Sequence, residues 1–116
     1  MTSSDDLKKL LLNMNIHNFD IIRKKDIPYT HSDNVIINLD DYHSGSHWVA
    51  MNRKKKMYFD SYGMHMPNEV PSNYKYKTKI IEGINGNECG QLCCLWLWYV
   101  NNKSEKEFYS LFKKLY

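Results

Sequence analysis

From Cys89 to Asn101 the chain reads Cys-Gly-Gln-Leu-Cys-Cys-Leu-Trp-Leu-Trp-Tyr-Val-Asn, apolar around the whole circumference of a helix. A helix of that kind must be buried on most of its sides. It is therefore the central element, and everything else in the chain has to be arranged as a layer against it. The apolar run Leu92 to Val100 is far shorter than the ~20 residues needed to cross a bilayer, so the cover must be protein. With 116 residues, the chain fits one domain with one modest core, burying roughly two-thirds of the surface of the unfolded chain.

The flanking segments supply the cover. Leu7, Leu10, Leu11 and Met14 recur at helical spacing behind Ser3, Ser4, Asp5 and Asp6, which predicts a capped helix over Ser4 to Met14. Phe19 to Lys25 reads as a short second helix, ended before Ile27-Pro28. The run Val35 to Leu39 reads as a buried strand, His47 to Asn52 as a second and Met57 to Ser61 as a third, with Lys77 to Glu82 as a further candidate. Ser104-x-x-Glu107 is a capping box, and Phe108, Leu111, Phe112 and Leu115 follow it on one helical face. The expected class is α+β, a small antiparallel sheet flanked by helices.

Composition narrows the function classes. Three cysteines, two of them adjacent, make a poor disulfide framework, which leads us to expect reduced thiols and an intracellular setting. The polar, acidic N-terminus is unlike a secretory signal. No metal is expected, because consecutive helical residues such as Cys93 and Cys94 cannot converge on one ion. The net charge of +3 is mild, with lysine and arginine clustered at Arg23 to Lys25 and Arg53 to Lys56. These read as solvated turns, or else as a surface for an acidic partner or nucleic acid. His17, His31, His43 and His65 carry no motif, and Cys93 and Cys94 read as core.

Two local patterns carry chemistry. If Arg53 to Lys56 form a four-residue turn, Asn52 pairs with Met57 and Val49 faces Asp60. His47 then lies diagonally from Asp60 on the same face, about 7–8 Å away at the backbone and within side-chain reach. A turn one residue longer would put the two on opposite faces. Cys89 follows the turn-rich Asn85-Gly86-Asn87-Glu88 and opens the buried helix. The helix dipole there stabilises a thiolate, and a neighbouring His47 would lower the thiol pKa further. Those are the requirements of an activated nucleophile with a base and an orienting acid.

The blocks Asn38-Leu39-Asp40, Gly45-Ser46-His47-Trp48-Val49-Ala50, Tyr58-Phe59-Asp60-Ser61-Tyr62-Gly63 and Glu88-Cys89-Gly90-Gln91-Leu92-Cys93-Cys94 resemble the adenovirus-type cysteine proteases. They are closest in flavour to those of virophages and polinton-type mobile elements, with the SUMO-specific proteases as more distant kin. The resemblance spans about residues 34 to 100 and keeps the order His, acid, Cys. It implies a papain-like fold and peptide-bond cleavage, often at glycine-containing sites, in capsid or polyprotein precursors. Cys89 would be the nucleophile, His47 the base, Asp60 the orienting acid, and Trp48 a residue of the substrate channel. Isopeptidase action on ubiquitin-like modifiers, and a protease-fold interaction domain without turnover, are the alternatives. No cofactor and no membrane is implied; the setting would be host cytoplasm, nucleus or virion. Adenovirus proteases are activated by a peptide and by DNA, so the basic patches permit a similar partner.

One position departs from the family pattern. In the adenovirus-like spacing, Glu82 stands where a glutamine side chain helps to hold the oxyanion; in the SUMO-protease spacing Gly83 does. An ionised carboxylate accepts hydrogen bonds and cannot donate one, and loss of such a donor costs roughly 10²–10³ in rate. Three arrangements answer this: Glu82 points elsewhere and backbone amides serve, Glu82 is protonated, or the chain keeps the fold for binding alone. The roughly 46 residues before His47 are also few for building a cleft, which would then be shallow or completed by a partner.

Overall fold

The computed structural model describes residues 3–39, 47–81 and 88–113. The first helix, α1 (Ser4–Asn13), begins at a reciprocal cap. The Asp6 amide donates to Ser3 Oγ at 3.1 Å, and the Ser3 amide donates to Asp6 Oδ2 at 3.2 Å. It ends with Asn15 at φ 63°, where the Asn15 amide donates to Leu12 O and the Ile16 amide to Leu11 O. That pairing is a Schellman stop with asparagine in the left-handed position. Leu7 and Leu11 face inward and are fully buried.

Phe19 to Lys25, expected as a helix, is instead strand β1 (Phe19–Arg23), followed by a 3-10 helix over Lys24–Tyr29. The reason is a period of two. Phe19 and Ile21 pack toward the helices while Ile22 packs on the opposite face, and adjacent β-branched isoleucines favour the extended form. The chain passes through Pro28 inside the 3-10 helix, and the Thr30 hydroxyl donates to the Asp20 carboxylate, tying the crossover back to β1.

Strands β2 (Asn34–Asn38), β3 (Trp48–Asn52), β4 (Met57–Phe59) and β5 (Lys75–Tyr76) complete a five-stranded sheet in the order β1-β2-β3-β4-β5. The sheet is mixed, not antiparallel as expected: β1–β2 and β4–β5 run parallel, and the two central pairs antiparallel. Of the strand expected at Lys77 to Glu82, the described residues 77–81 form no strand and Glu82 lies outside the described residues; the fifth strand is β5. Beyond Tyr76 the backbone kinks, with the Lys79 amide donating to Lys77 O at 2.7 Å, and the Lys77 and Lys79 ammonium groups both lie over the Tyr109 ring. Those contacts draw the segment out of the ladder, which it touches again where the Ile81 amide donates to Ser61 O.

Alternation divides the sheet cleanly. Ile36, Trp48, Ala50 and Phe59 meet the helices. Val35, Ile37, Val49, Met51 and Tyr58 form a second cluster with Ile27 and Val70. On the helical face lies α2 (Cys89–Asn102), the all-round apolar segment, with α1 and α3 (Glu105–Lys113) packed against it. Ser104 caps α3 as expected, its Oγ accepting from the Glu107 amide and donating to the Glu107 carboxylate, both at 3.1 Å. Of the face expected for α3, Phe108 is buried and Phe112 packs against the core, whereas Leu111 is exposed and Tyr109 is buried beside Phe108; Leu115 lies outside the described residues. The architecture is α+β, with α1, α2 and α3 gathered on one face of the sheet and the 3-10 helix packing Ile27 on the other. Among the described residues, no helix is long and apolar enough to cross a membrane.

A polar clasp holds the far end of α2. Asn34 Oδ1 accepts from Asn52 Nδ2 at 3.0 Å and from Asn101 Nδ2 at 2.8 Å, joining two central strands to the helix. Lys55 in the hairpin turn donates its backbone amide to Asn52 Oδ1 and its Nζ to the Val100 carbonyl. A buried amide is retained only when its hydrogen bonds are made, and this network makes them.

Candidate active site

The hairpin has the register expected from its turn: Asn52 opposite Met57, Met51 opposite Tyr58, Ala50 opposite Phe59. One further step puts Val49 opposite Asp60, with His47 diagonal to it. The side chains meet: His47 Nε2 lies 2.8 Å from Asp60 Oδ1. Asp60 is fully buried, and the His47 side chain keeps 17% of its surface exposed.

Asp60 is held in place by its own turn. Its Oδ1 also accepts the Tyr62 amide at 2.8 Å, an Asx-turn, and its carbonyl accepts the Gly63 amide at 3.0 Å. Gly63 takes φ 66°, a conformation open to glycine at little cost. The sequence Asp-Ser-Tyr-Gly therefore builds the acid's pocket locally. Phe59, the preceding residue, is clamped between Trp96 at 5.5 Å and Phe108 at 5.3 Å between ring centroids.

Cys89 is the first residue of α2, which packs over β3. Its Sγ accepts the Trp48 amide at 3.5 Å, so the thiol sits beside the residue that follows His47. None of the three cysteines forms a disulfide. Burial alone would raise the Cys89 pKa; hydrogen bonding with His47, the Trp48 amide and the His47 charge outweigh it, and the thiol is held below its ordinary value. Burial likewise acts to lower the His47 pKa, but hydrogen bonding to Asp60 and Cys89 and the charges of both raise it to about 9. The two shifts act together, each favouring the charged form of its group, thiolate on Cys89 and imidazolium on His47. Because Nε2 is engaged by Asp60, the nitrogen left for the thiol is Nδ1, which is buried and has no other hydrogen-bond partner.

His47, Asp60 and Cys89 thus come together from the end of β3, the end of β4 and the start of α2. The Trp48 indole is buried in the core, and it is the backbone amide of Trp48 that reaches the sulfur. Cys93 is fully buried with its pKa pushed up by burial, and burial pushes Cys94 up to about 12. Both are inert by comparison with Cys89. Glu82 and Gly83 lie outside the described residues. Among the described residues, no group of three or more His, Cys, Asp or Glu is placed to hold a metal ion.

Sequence reasoning gave no role to Tyr62, whose ring stacks on His47 with centroids 4.1 Å apart and planes 2° apart. The signal was present in its place two residues after Asp60, where an Asx-turn folds the chain back over the carboxylate. No family model, no curated protein and no solved structure matches this chain.

Proposed function

We propose that this chain is a cysteine peptidase of the adenovirus type, with a papain-like fold. The observation that carries this reading is the placement of His47 between two partners, Asp60 at 2.8 Å and the Cys89 thiol at the head of a buried helix. The order of the blocks, His then Asp then Cys, supports the family reading.

The chemistry follows from the tautomer. Asp60 accepts the Nε2 proton, so the neutral ring carries its basic lone pair on Nδ1. Nδ1 takes the thiol proton, and Sγ attacks the carbonyl carbon of the scissile peptide bond. In this reading the N-terminal amides of α2, to which Glu88 makes no side-chain cap, hold the developing oxyanion. The C–N bond breaks as the imidazolium returns its proton to the leaving amine. Water, deprotonated by the same nitrogen, then hydrolyses the thioester and restores the thiol.

The substrates of this reading are capsid or polyprotein precursors of a virus or mobile element, with glycine near the cleaved bond, inside a host cell or virion. A peptide or nucleic-acid activator remains part of the proposal through the basic turn Arg53 to Lys56. One observation favours a second reading, an interaction domain without turnover: Cys89 is only 3% exposed. Peptide probes carrying a thiol-reactive end group separate the two. Covalent labelling at Cys89, with precursor cleavage abolished in Cys89→Ala and in His47→Ala, supports the peptidase. Cleavage that survives both substitutions, or a Cys89 that no probe labels, removes it. Labelling by ubiquitin or SUMO probes in place of peptides would move the substrate class to modifiers.

A further inference from the structure

Tyr62 takes no part in the steps above, yet it touches both groups that flank the thiol. Its ring lies parallel to the His47 imidazole, 4.1 Å away, while its amide donates to the oxygen of Asp60 that also binds His47. One residue therefore grips the imidazole by its face and the carboxylate through its backbone. The turn makes this possible, because the Asp60–Gly63 hydrogen bond and the left-handed Gly63 fold the chain back on itself.

We infer that Tyr62 is a positioning residue, whose ring fixes the plane of His47 and favours its protonated form. The inference rests on reading Cys89 and His47 as nucleophile and base. The terminal torsion of a histidine is broad, and contacts made only at the ring edge, with Asp60 and toward Cys89, leave the ring some freedom to rock about them. A parallel ring on its face removes that freedom. The face of an aromatic ring also attracts a cation, so it favours imidazolium, and with it the thiolate of Cys89. Asp60 and Cys89 are the other charged or titrating groups acting on this imidazole. Neither effect uses the Tyr62 hydroxyl. Tyr62 is 39% exposed, and its stacked ring shields one face of the His47 imidazole.

The test is the rate of Cys89 alkylation by iodoacetamide against pH in the wild-type chain, Tyr62→Phe and Tyr62→Ala, with folding followed by circular dichroism. Cys93 and Cys94 are fully buried, so the reaction reports on Cys89. The wild-type chain should react well below the ordinary thiol range. Tyr62→Ala should slow alkylation at pH 6 by roughly three- to tenfold, and Tyr62→Phe by less than about twofold. A Tyr62→Ala profile that superimposes on the wild type overturns the inference, and so does a Tyr62→Phe chain as slow as Tyr62→Ala. A wild-type chain with no reactivity at pH 6 overturns the nucleophile–base reading itself, and the role of Tyr62 with it. Should Tyr62→Ala unfold, Tyr62→Leu keeps apolar bulk without a π face and is judged by the same outcomes.

Discussion

Phe59 stacks on Trp96 with ring centroids 5.5 Å apart and planes 17° apart. This contact joins the strand that ends beside Asp60 to the helix that begins at Cys89. The aromatic cluster beneath the site therefore sets the distance between the two arms that carry its reactive groups.

Truncating that contact should damage stability and geometry together. Phe59→Ala or Trp96→Ala should cost roughly 3–5 kcal/mol, the usual range for emptying a large aromatic site. Urea unfolding measures this. Phe59→Leu should cost less, and its alkylation rate at Cys89 reports whether the site has loosened.

The pH dependence of stability has a defined sign. His47 is raised to about 9 from an ordinary 6.5, so its contribution is fully present below 6.5 and is lost as pH rises through about 9. The lowered pKa of Cys89 works the other way: its contribution is present above 9.0 and is lost as pH falls through the lowered value. Asp60→Asn removes the anion that holds His47 charged. It should destabilise the chain by roughly 1–3 kcal/mol near pH 6, and the gap should narrow above pH 9. Urea midpoints at several pH values test this; a gap constant with pH would assign the effect of Asp60 to shape alone.

Gly63→Ala should destabilise the chain by about 1 kcal/mol or more through its positive φ. A Cβ there would also meet Ile80 Cγ1 at 3.0 Å, but Ile80 is exposed and its side chain can move. The strain of the backbone therefore dominates. Thermal unfolding of the variant, beside Ile80→Ala, separates the two causes.

The proposed peptidase makes a demand on Glu82. If this residue occupies the oxyanion position, Glu82→Gln supplies a donor in place of a repelling charge, and peptide turnover should rise by roughly 10²-fold or more. Unchanged turnover would remove Glu82 from that position and leave backbone amides to do the work.

Much of this arrangement was legible in the sequence where a local rule has a single outcome. The Ser3 cap, the all-round apolar α2, the Ser104 cap and the Asn52–Met57 register each follow from spacing alone. Phe19 to Arg23 misled because five residues with apolar side chains at 19, 21 and 22 satisfy a helix nearly as well as a strand, and only the free edge of β2 decides between them. Strand β5 was misplaced for a related reason. Lys77 and Lys79 alternate like strand residues, but their ammonium groups are drawn to Tyr109, a contact 30 or so residues distant along the chain. At the site, the meeting of His47 with Asp60 could be read from parity, whereas the stacking of Tyr62 required the fold of its turn.

The turn from Arg53 to Lys56 has one more consequence, which concerns how such a chain can vary. Arg53 and Lys55 reach out of it to the Ser32 and Val100 carbonyls, Lys54 is exposed and open to substitution, and a φ of 56° creates a preference for Asn or Gly at Lys56. Stripping every charge from it would leave the register of the hairpin in place. Gaining or losing a single codon would not, because each residue of Met57 to Asp60 would then shift by one against β3. Mutational drift at this turn should thus be more tolerant of spelling than of length, a constraint set by His47 and Asp60 from the opposite end of the hairpin.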